Sequence, residues 1–255
     1  MTSLEVLFSP AEFATLPKRD LSHALCVVFD VLRATSTMIT ALGNGAQAIF
    51  PVQDIPEALE VRRRQPEVLL AGERNGLRIA PGLAQGTAFD LGNSPREFTS
   101  DLVKGRTIVM TTTNGTRALS ACRHAHQTLV CSFLNLNATA AAIAASDAPH
   151  LLVVCSGTED QAAYEDVLGA GAFCDLVWGA LRGGTVTDSA QMARQLFLES
   201  KNDLLGAISK SRNARRLLSI AELRQDVAFC LQRDLQPVVA TLGKDGLVRR
   251  LPALM

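Results

Sequence analysis

Apolar strand-like runs alternate with helix-like stretches along most of this chain, and this alternation constrains the fold more than any other feature. The predicted strands cover residues 4–8, 25–30, 47–52, 67–71, 106–111, 127–131, 150–155 and 238–242. After the seventh run the sequence is mostly helical, with predicted helices at 164–181, 188–205, 214–218 and 221–231. The pattern predicts an α/β fold with a largely parallel or mixed sheet. We expect a three-layer α/β/α architecture with a helical C-terminal third.

Weaker local signals add detail to this prediction. Residues 94–97 (SPRE) have the pattern of a capping box with proline at the first helical position. Residues 138–145 favour a helix, and residues 243–246 (GKDG) predict a tight turn before a short closing strand. No repeat or linker marks a boundary. We therefore predict a single domain over residues 1–255, and the sequence leaves two α/β lobes open.

Composition excludes several classes of protein. The chain has 255 residues, of which 47% are hydrophobic, so it can bury a sizeable core. Its formal net charge is zero, which gives no indication of nucleic-acid binding, and the basic residues at 212–216 are interpreted as a solvated helix face. No apolar run reaches the roughly 18 residues of a membrane span. We expect a cytoplasmic protein with no membrane partner, six reduced cysteines in its core and, as an open alternative, a homo-oligomer.

Polar clusters follow five of the predicted strands. They are residues 30–37 (DVLRATST), 72–76 (GERNG), 111–117 (TTTNGTR), Ser132, and 156–160 (SGTED). Ligands bind at the carboxyl ends of the strands in open α/β sheets, so we expect these clusters to converge in one crevice. In the first cluster, a helix starting near Thr35 presents free N–H groups that suit an anion. The alternative is that Asp30 and Thr35 only cap the turn.

Several phosphate chemistries are excluded by spacing. The chain has neither a P-loop nor a GxGxxG fingerprint. A cysteine-phosphatase loop would need an arginine six positions after Cys155, where Gln161 stands. An aspartyl-phosphate site of the haloacid-dehalogenase type would need a second aspartate two positions after Asp30, where Leu32 stands.

Carboxylates and arginines supply the remaining chemistry. The acids at or just after strand ends are Asp30, Glu73, Glu159, Asp160, Glu165 and Asp166. Hard oxygen ligands of this kind favour Mg²⁺, with salt bridges or helix caps as the alternative. The nearby arginines are Arg33, Arg74, Arg78, Arg96 and Arg117. Arg78 and Arg96 are interpreted as surface salt bridges, whereas Arg33 and Arg117 favour a substrate with more than one anionic group.

The motifs at residues 30–37, 72–76, 91–95, 111–116 and 155–159, taken in order, resemble those of the 2-phosphosulfolactate phosphatase family. The resemblance implies a Mg²⁺-dependent phosphatase that hydrolyses (2R)-2-phospho-3-sulfolactate to 3-sulfolactate and phosphate, a step in coenzyme M biosynthesis. That substrate carries phosphate, carboxylate and sulfonate groups, which would account for the arginines. The resemblance assigns no residue roles, so the roles below are our own hypothesis.

We expect Asp30, with one or two of Glu73, Glu159 and Asp166, to hold Mg²⁺. Catalytic roles are predicted for Asp30, Arg33, Glu73 and Arg117. The predicted substrate-binding residues are Thr35, Ser36, Arg74, Asn75, Asn93, Thr112, Thr113, Asn114, Ser156 and Thr158, of which Arg74 and Asn75 would contact the sulfonate.

Three alternatives stay open at the level of sequence. The substrate could be another small phosphorylated 2-hydroxy acid. Cys155 could be the nucleophile of a cysteine enzyme, since it ends a strand before a glycine-containing turn. The third alternative is a non-catalytic protein that binds a small polyanion in the same crevice.

Overall fold

A computed structural model describes residues 1–146, 148–181 and 183–251 and shows an α/β fold built on one mixed sheet. The strands are β1 (Ser3–Leu7), β2 (Ala24–Phe29), β3 (Ala48–Pro51), β4 (Leu69–Arg74), β5 (Leu77–Arg78), β6 (Thr107–Thr111), β7 (Gln127–Cys131), β8 (His150–Cys155), β9 (Thr185–Val186), β10 (Ala240–Leu242) and β11 (Val248–Arg250). The helices are α1 (Pro10–Phe13), α2 (Ala34–Gly43), α3 (Ile55–Arg64), α4 (Ser100–Val103), α5 (Gly115–Ala121), α6 (Leu136–Ala144), α7 (Tyr164–Val177), α8 (Asp188–Ser200), α9 (Leu204–Ile208), α10 (Arg212–Leu218) and α11 (Arg224–Cys230).

The sheet contains two groups of strands that are parallel within each group. An antiparallel hairpin in the middle of the sheet joins the two groups. The order is β5-β4-β6-β3-β11-β10-β7-β2-β8-β1-β9. Strands β4, β6 and β3 are parallel to one another, as are β7, β2, β8, β1 and β9. The hairpin pairs Thr241 with Leu129 on one side and Val248 with Ile49 on the other. Because sheets twist by roughly 20–25° per strand pair, the five intervals between β6 and β2 add up to a rotation of about 100° or more.

This rotation and the helices between the two groups bring distant loops together. One apolar cluster joins β3 and β6 to β2, β7 and β8 through the buried faces of α2 and α5. A second cluster covers the other face of β2 and β8 with α6, α7 and α8, and a third packs α3 against β4 and β6. The two groups of strands therefore share the layer that contains α2 and α5, and the loops before these two helices become neighbours.

The sequence prediction of the fold is confirmed in most respects. All eight predicted strands are present with ends displaced by at most three residues, and the C-terminal region is helical. The turn at residues 243–246 leads into β11, as predicted. All six cysteines are buried and free of disulfides. Among the described residues, none of the helices combines the length and the apolar character that crossing a membrane requires.

Candidate active site

The loops that follow β2, β4, β6 and β8 converge on one cavity of about 150 Å³, as predicted for four of the five polar clusters. Helix α10 closes another side of this cavity. The fifth cluster does not take part, because Ser132 instead caps the short 3₁₀ helix Phe133–Asn135. The lining residues are Asp30, Leu32, Arg33, Glu73, Asn75, Gly76, Asn93, Thr112, Thr113, Asn114, Gly157, Thr158, Glu159, Asp166, Asn213, Arg216 and Leu217.

Asp30 is the buried carboxylate at the end of β2 and is 8% exposed. Its Oδ1 accepts a hydrogen bond from the backbone N–H of Ala34 (3.1 Å), at the start of α2. Its Oδ2 lies against Gly115, where an added Cβ would come within 2.7 Å of it. Burial raises the pKa of Asp30 to about 7, and the negative charges of Glu73 and Glu165 contribute to this rise. The carboxyl group is thus poised to exchange a proton near neutral pH.

Asp166 is a second buried carboxylate, in the first turn of α7, and it joins two of the converging loops. Its Oδ1 accepts from the backbone N–H of Val31 (2.8 Å), and its Oδ2 accepts from that of Gly157 (3.1 Å). Burial raises the pKa of Asp166 well above its usual range, and the nearby Asp30 and Glu165 raise it further. Like charges this close in a buried setting require a proton or a bound cation.

Glu73 fixes the loop after β4 to the loop after β6. Its Oε2 accepts from the backbone N–H of Gly76 (2.7 Å). Its Oε1 accepts from both the backbone N–H (3.0 Å) and the hydroxyl (2.8 Å) of Thr113. Three donors are thus directed at this one carboxylate. Glu73 therefore sets the shape of the cavity wall.

Arg33 brings a positive charge to the same cavity and is held by a residue from the C-terminal region. Its Nη1 donates to Asp226 Oδ2 (2.7 Å), and its Nη2 donates to the carbonyl oxygen of Gly76. Asp226 lies in α11 and also accepts from Ser94 Oγ (2.7 Å) and Arg96 Nε (2.8 Å). One carboxylate thus faces two guanidinium groups, so this cluster keeps an excess of positive charge.

These contacts correct one local prediction and test two others. The prediction of a capping box at residues 94–97 is wrong. The Ser94 hydroxyl donates to Asp226 instead, and the segment forms a short 3₁₀ helix without a side-chain cap. Arg78 forms the predicted surface salt bridge, with Glu97 at 2.6 Å. Arg96 is also in a salt bridge, but its partner Asp226 is buried.

Three neutral oxygen atoms in the cavity lining lack partners. They are Asn93 Oδ1, Thr112 Oγ1 and Asn114 Oδ1, and each is buried without a hydrogen bond to any described residue. A buried polar atom without a partner costs about 1–3 kcal/mol, so three such atoms around one cavity indicate a polar ligand or water. Together with Asp30 and Asp166 they form a set of hard oxygen donors, the type that Mg²⁺ prefers.

Among the residues that the structure describes, no three His, Cys, Asp or Glu side chains are grouped so as to hold a metal ion. This is compatible with Mg²⁺, which usually takes only one or two protein carboxylates and completes its shell with water and substrate oxygens. Glu159 is the predicted metal ligand that the structure supports least, since its side chain is 77% exposed and lies 3.5 Å from Arg212.

Comparison with known proteins assigns the chain to a family. A family model described as 2-phosphosulpholactate phosphatase matches residues 12–245, and this match includes every strand-end loop of the cavity. The chain belongs to the 2-phosphosulfolactate phosphatase family.

Three relatives align with most of the chain. A protein of Pseudothermotoga lettingae named "Probable 2-phosphosulfolactate phosphatase" is 38% identical over 238 residues, which cover 93% of this chain and 97% of the relative. Proteins with the same name from Caldanaerobacter subterraneus subsp. tengcongensis and Thermotoga petrophila are 36% and 40% identical. They cover 93% and 85% of this chain and 95% and 88% of their own lengths.

In this member of the 2-phosphosulfolactate phosphatase family, most of the predicted site residues share the cavity. They are Asp30, Arg33, Glu73, Asn75, Asn93, Thr112, Thr113, Asn114, Thr158, Glu159 and Asp166. Most of them lie at or just after a strand end, where the backbone turn fixes the position of the next few side chains.

Five predicted residues do not line the cavity, and each is placed elsewhere for a visible reason. The hydroxyls of Thr35 and Ser36 donate to the carbonyl oxygens of Asp30 (2.9 Å) and Val31 (2.8 Å), so they close the turn into α2. Arg74 turns to Thr111 Oγ1 (3.1 Å).

Arg117 is exposed because the neighbouring residues of α5 on either side of it face the core. The structure therefore does not bring this predicted cation to the cavity. Ser156 is fully buried, and its backbone N–H donates to the carbonyl oxygen of Phe29 (2.8 Å). Cys155 is also fully buried outside the cavity, and burial raises the pKa of its thiol well above the usual range. A buried thiol of this kind is inert, which disfavours the cysteine-enzyme alternative.

Sequence reasoning missed the contribution of the C-terminal helices. Asn213, Arg216 and Leu217 line the cavity from α10, whereas the sequence predicts a solvated helix face for residues 212–216. Asn213 and Arg216 are three positions apart and so share one side of the helix. The apolar residue Leu217 next to them is the sequence signal that this side of the helix packs against the rest of the protein, and Leu217 is buried in the structure. The sequence around Asp226 does not indicate its role, because its hydrogen-bond partners come from distant segments.

Proposed function

We propose that this protein hydrolyses (2R)-2-phospho-3-sulfolactate to 3-sulfolactate and phosphate with Mg²⁺, a step of coenzyme M biosynthesis. The observation that carries the proposal is the set of three unpartnered buried oxygens, from Asn93, Thr112 and Asn114, beside Asp30 and Arg33 in one cavity. The substrate follows from family membership and from the names of the relatives.

Mg²⁺ fits the residues that are present. We propose that Asp30 and Asp166 hold it together with the neutral oxygens of the cavity, because the raised pKa values of the two acids would be relieved by a cation. When bound, Mg²⁺ neutralises charge on the phosphoryl oxygens. Glu73 serves the site by fixing the loops that carry Asn75 and Thr113.

The chain's own groups can carry the remaining steps. Arg33 is buried, fixed by Asp226, and faces the cavity, so its charge is preorganised for the phosphoryl group. The polar side chains of Thr112, Thr113 and Asn114 surround the same space. A nucleophile attacks phosphorus, the bond between phosphorus and the C2 oxygen breaks, and that oxygen takes up a proton from water to leave as the hydroxyl of sulfolactate.

Asp30 serves either route of attack. In direct hydrolysis its carboxylate takes the proton of the attacking water. In a covalent route the same carboxylate attacks phosphorus and is released by water. Both routes need the ionised carboxylate at this position.

Phosphate release from racemic 2-phosphosulfolactate and from phospholactate, each with Mg²⁺ and with EDTA, tests the proposal. We expect release that depends on Mg²⁺ and is faster for the sulfonated compound. Protein carrying Asp30→Asn and purified in the same way controls for contaminating phosphatases. Equal rates on both compounds would indicate another phosphorylated 2-hydroxy acid as substrate. No release by folded protein would favour a binding protein without turnover.

A further inference from the structure

Arg216 is a positive charge at the cavity that the proposed mechanism does not use. It lies in α10 and lines the cavity, yet its guanidinium makes no hydrogen bond or ion pair with the residues that the structure describes. The other arginine of the lining, Arg33, is bonded to Asp226 and to Gly76. Arg74, which was predicted to contact the sulfonate, is bonded to Thr111 instead. Arg216 is thus the exposed guanidinium of the lining that is available to a ligand.

Helix α10 holds Arg216 in a defined place. One turn earlier, Asn213 Nδ2 donates to Thr158 Oγ1 (2.7 Å) and to Glu165 Oε1 (2.6 Å). The side chains of Ala214 and Leu217 are buried in the core. The helix is therefore fixed on both sides of Arg216, and only its long side chain is free to adjust.

Arg216 and Arg33 lie against the same turn of the loop after β4. Arg33 donates to the carbonyl oxygen of Gly76, and Arg216 Nε would lie 3.8 Å from a Cβ added at Gly76. Arg33 is 3% exposed, whereas Arg216 is exposed to solvent. A ligand in the cavity therefore meets one buried guanidinium and one guanidinium nearer its mouth.

We propose that Arg216 binds the sulfonate of the substrate while Arg33 faces the phosphoryl group, an inference that rests on the proposed function. The sulfonate is separated from C2 by one methylene, so it reaches further from the phosphoryl group than the carboxylate does. A guanidinium can donate two parallel hydrogen bonds to such an oxyanion. Arg216 is then a specificity-determining residue that distinguishes sulfonated from unsulfonated phosphoesters.

The variants Arg216→Gln and Arg216→Lys test this assignment, with Arg215→Gln as the matched control. Arg215 is an exposed arginine of the same helix and does not line the cavity. KM and kcat are measured for 2-phosphosulfolactate and for phospholactate, which lacks the sulfonate. We expect Arg216→Gln to raise KM for the sulfonated substrate about tenfold or more and to leave its KM for phospholactate nearly unchanged. Arg216→Lys should lie between Arg216→Gln and wild type, and Arg215→Gln should match wild type.

An equal rise of KM for both substrates would overturn the assignment, because Arg216 would then contact a group that both share. An unchanged KM for 2-phosphosulfolactate would overturn it as well. Calorimetric binding of 3-sulfolactate gives a readout that needs no turnover, and here Arg216→Gln must weaken binding about tenfold relative to Arg215→Gln. Absence of phosphate release by wild type would thus refute the proposed function, whereas equal binding by the two variants would refute the role of Arg216.

Discussion

Arg33 donates a hydrogen bond of 2.7 Å to Asp226, and the two side chains are only 2% and 0% exposed. The two residues are 193 positions apart in the chain. This ion pair attaches helix α11 to the loop after β2, where Arg33 lines the cavity. The helical C-terminal region therefore sets the position of a charge in the candidate active site.

Replacing one member of this pair should destabilise the whole protein. Asp226→Ala leaves the charge of Arg33 buried without its partner, and we expect a loss of about 3–5 kcal/mol in the free energy of unfolding. Urea denaturation followed by circular dichroism measures this loss. The control is Arg78→Gln, which removes the exposed salt bridge to Glu97 and should cost less than about 1 kcal/mol. Equal costs for the two variants would show that the buried pair is not a structural link.

Most strands of this fold could be predicted from sequence, but the two-residue strands β5 and β9 and the order of the strands could not. A buried strand can be recognised in the sequence from its run of apolar residues, as in β2 and β8. The central hairpin pairs Thr241 with Leu129 and Val248 with Ile49. Those pairings join segments more than 100 residues apart, and short polar-flanked strands carry no mark of their partners.

The residues of the candidate site also fall into two groups, those that could be predicted from sequence and those that could not. Asp30, Glu73 and Asn114 could be predicted to lie near the cavity because each is within three residues of the C-terminal end of a strand, so local structure fixes its place. Arg117 lies only three residues after Asn114 but faces away, since the buried positions of α5 determine which side of the helix meets the core. Asp226 acts through contacts with three residues from two distant segments, so its role exists only in the folded protein.

Asp30→Asn should abolish most of the activity without unfolding the protein. The amide oxygen can still accept from the N–H of Ala34, but the group carries no charge and cannot take a proton. We expect kcat for phosphate release to fall by about 100-fold or more. The control is Asp160→Asn, since Asp160 is an exposed acid beside the cavity loop that does not line the cavity. Near-normal turnover of Asp30→Asn would remove Asp30 from the mechanism.

Asp30 should also make the stability of the metal-free protein depend on pH. Its pKa is about 7 in the folded state and near 3.8 when unfolded, so only the folded state holds the proton between these values. Stability is therefore highest below pH 4 as far as this group is concerned, and it is lost as the pH rises to 7. The shift of roughly three pH units corresponds to about 4 kcal/mol at most.

Asp30→Asn should remove this part of the pH dependence. Urea unfolding in EDTA at pH 5 and pH 8 compares the variant with wild type, and the variant should lose less stability between the two values. Asp166 has a pKa raised in the same direction, so some loss should persist in the variant. Identical losses in the two proteins would mean that Asp30 is already ionised in the folded state at pH 5.

Gly115→Ala should impair the site through one added methyl group. The new Cβ would lie 2.7 Å from Asp30 Oδ2 and 2.6 Å from the Cβ of Ala34, so the carboxylate or the start of α2 must move. Such overpacking costs about 1–3 kcal/mol of stability, and displacement of Asp30 should lower kcat about tenfold or more. The control is Gly82→Ala, whose added Cβ meets no atom within 4 Å and should change neither quantity. Urea denaturation and phosphate release are measured on both variants, and wild-type turnover by Gly115→Ala would show that catalysis tolerates a displaced Asp30.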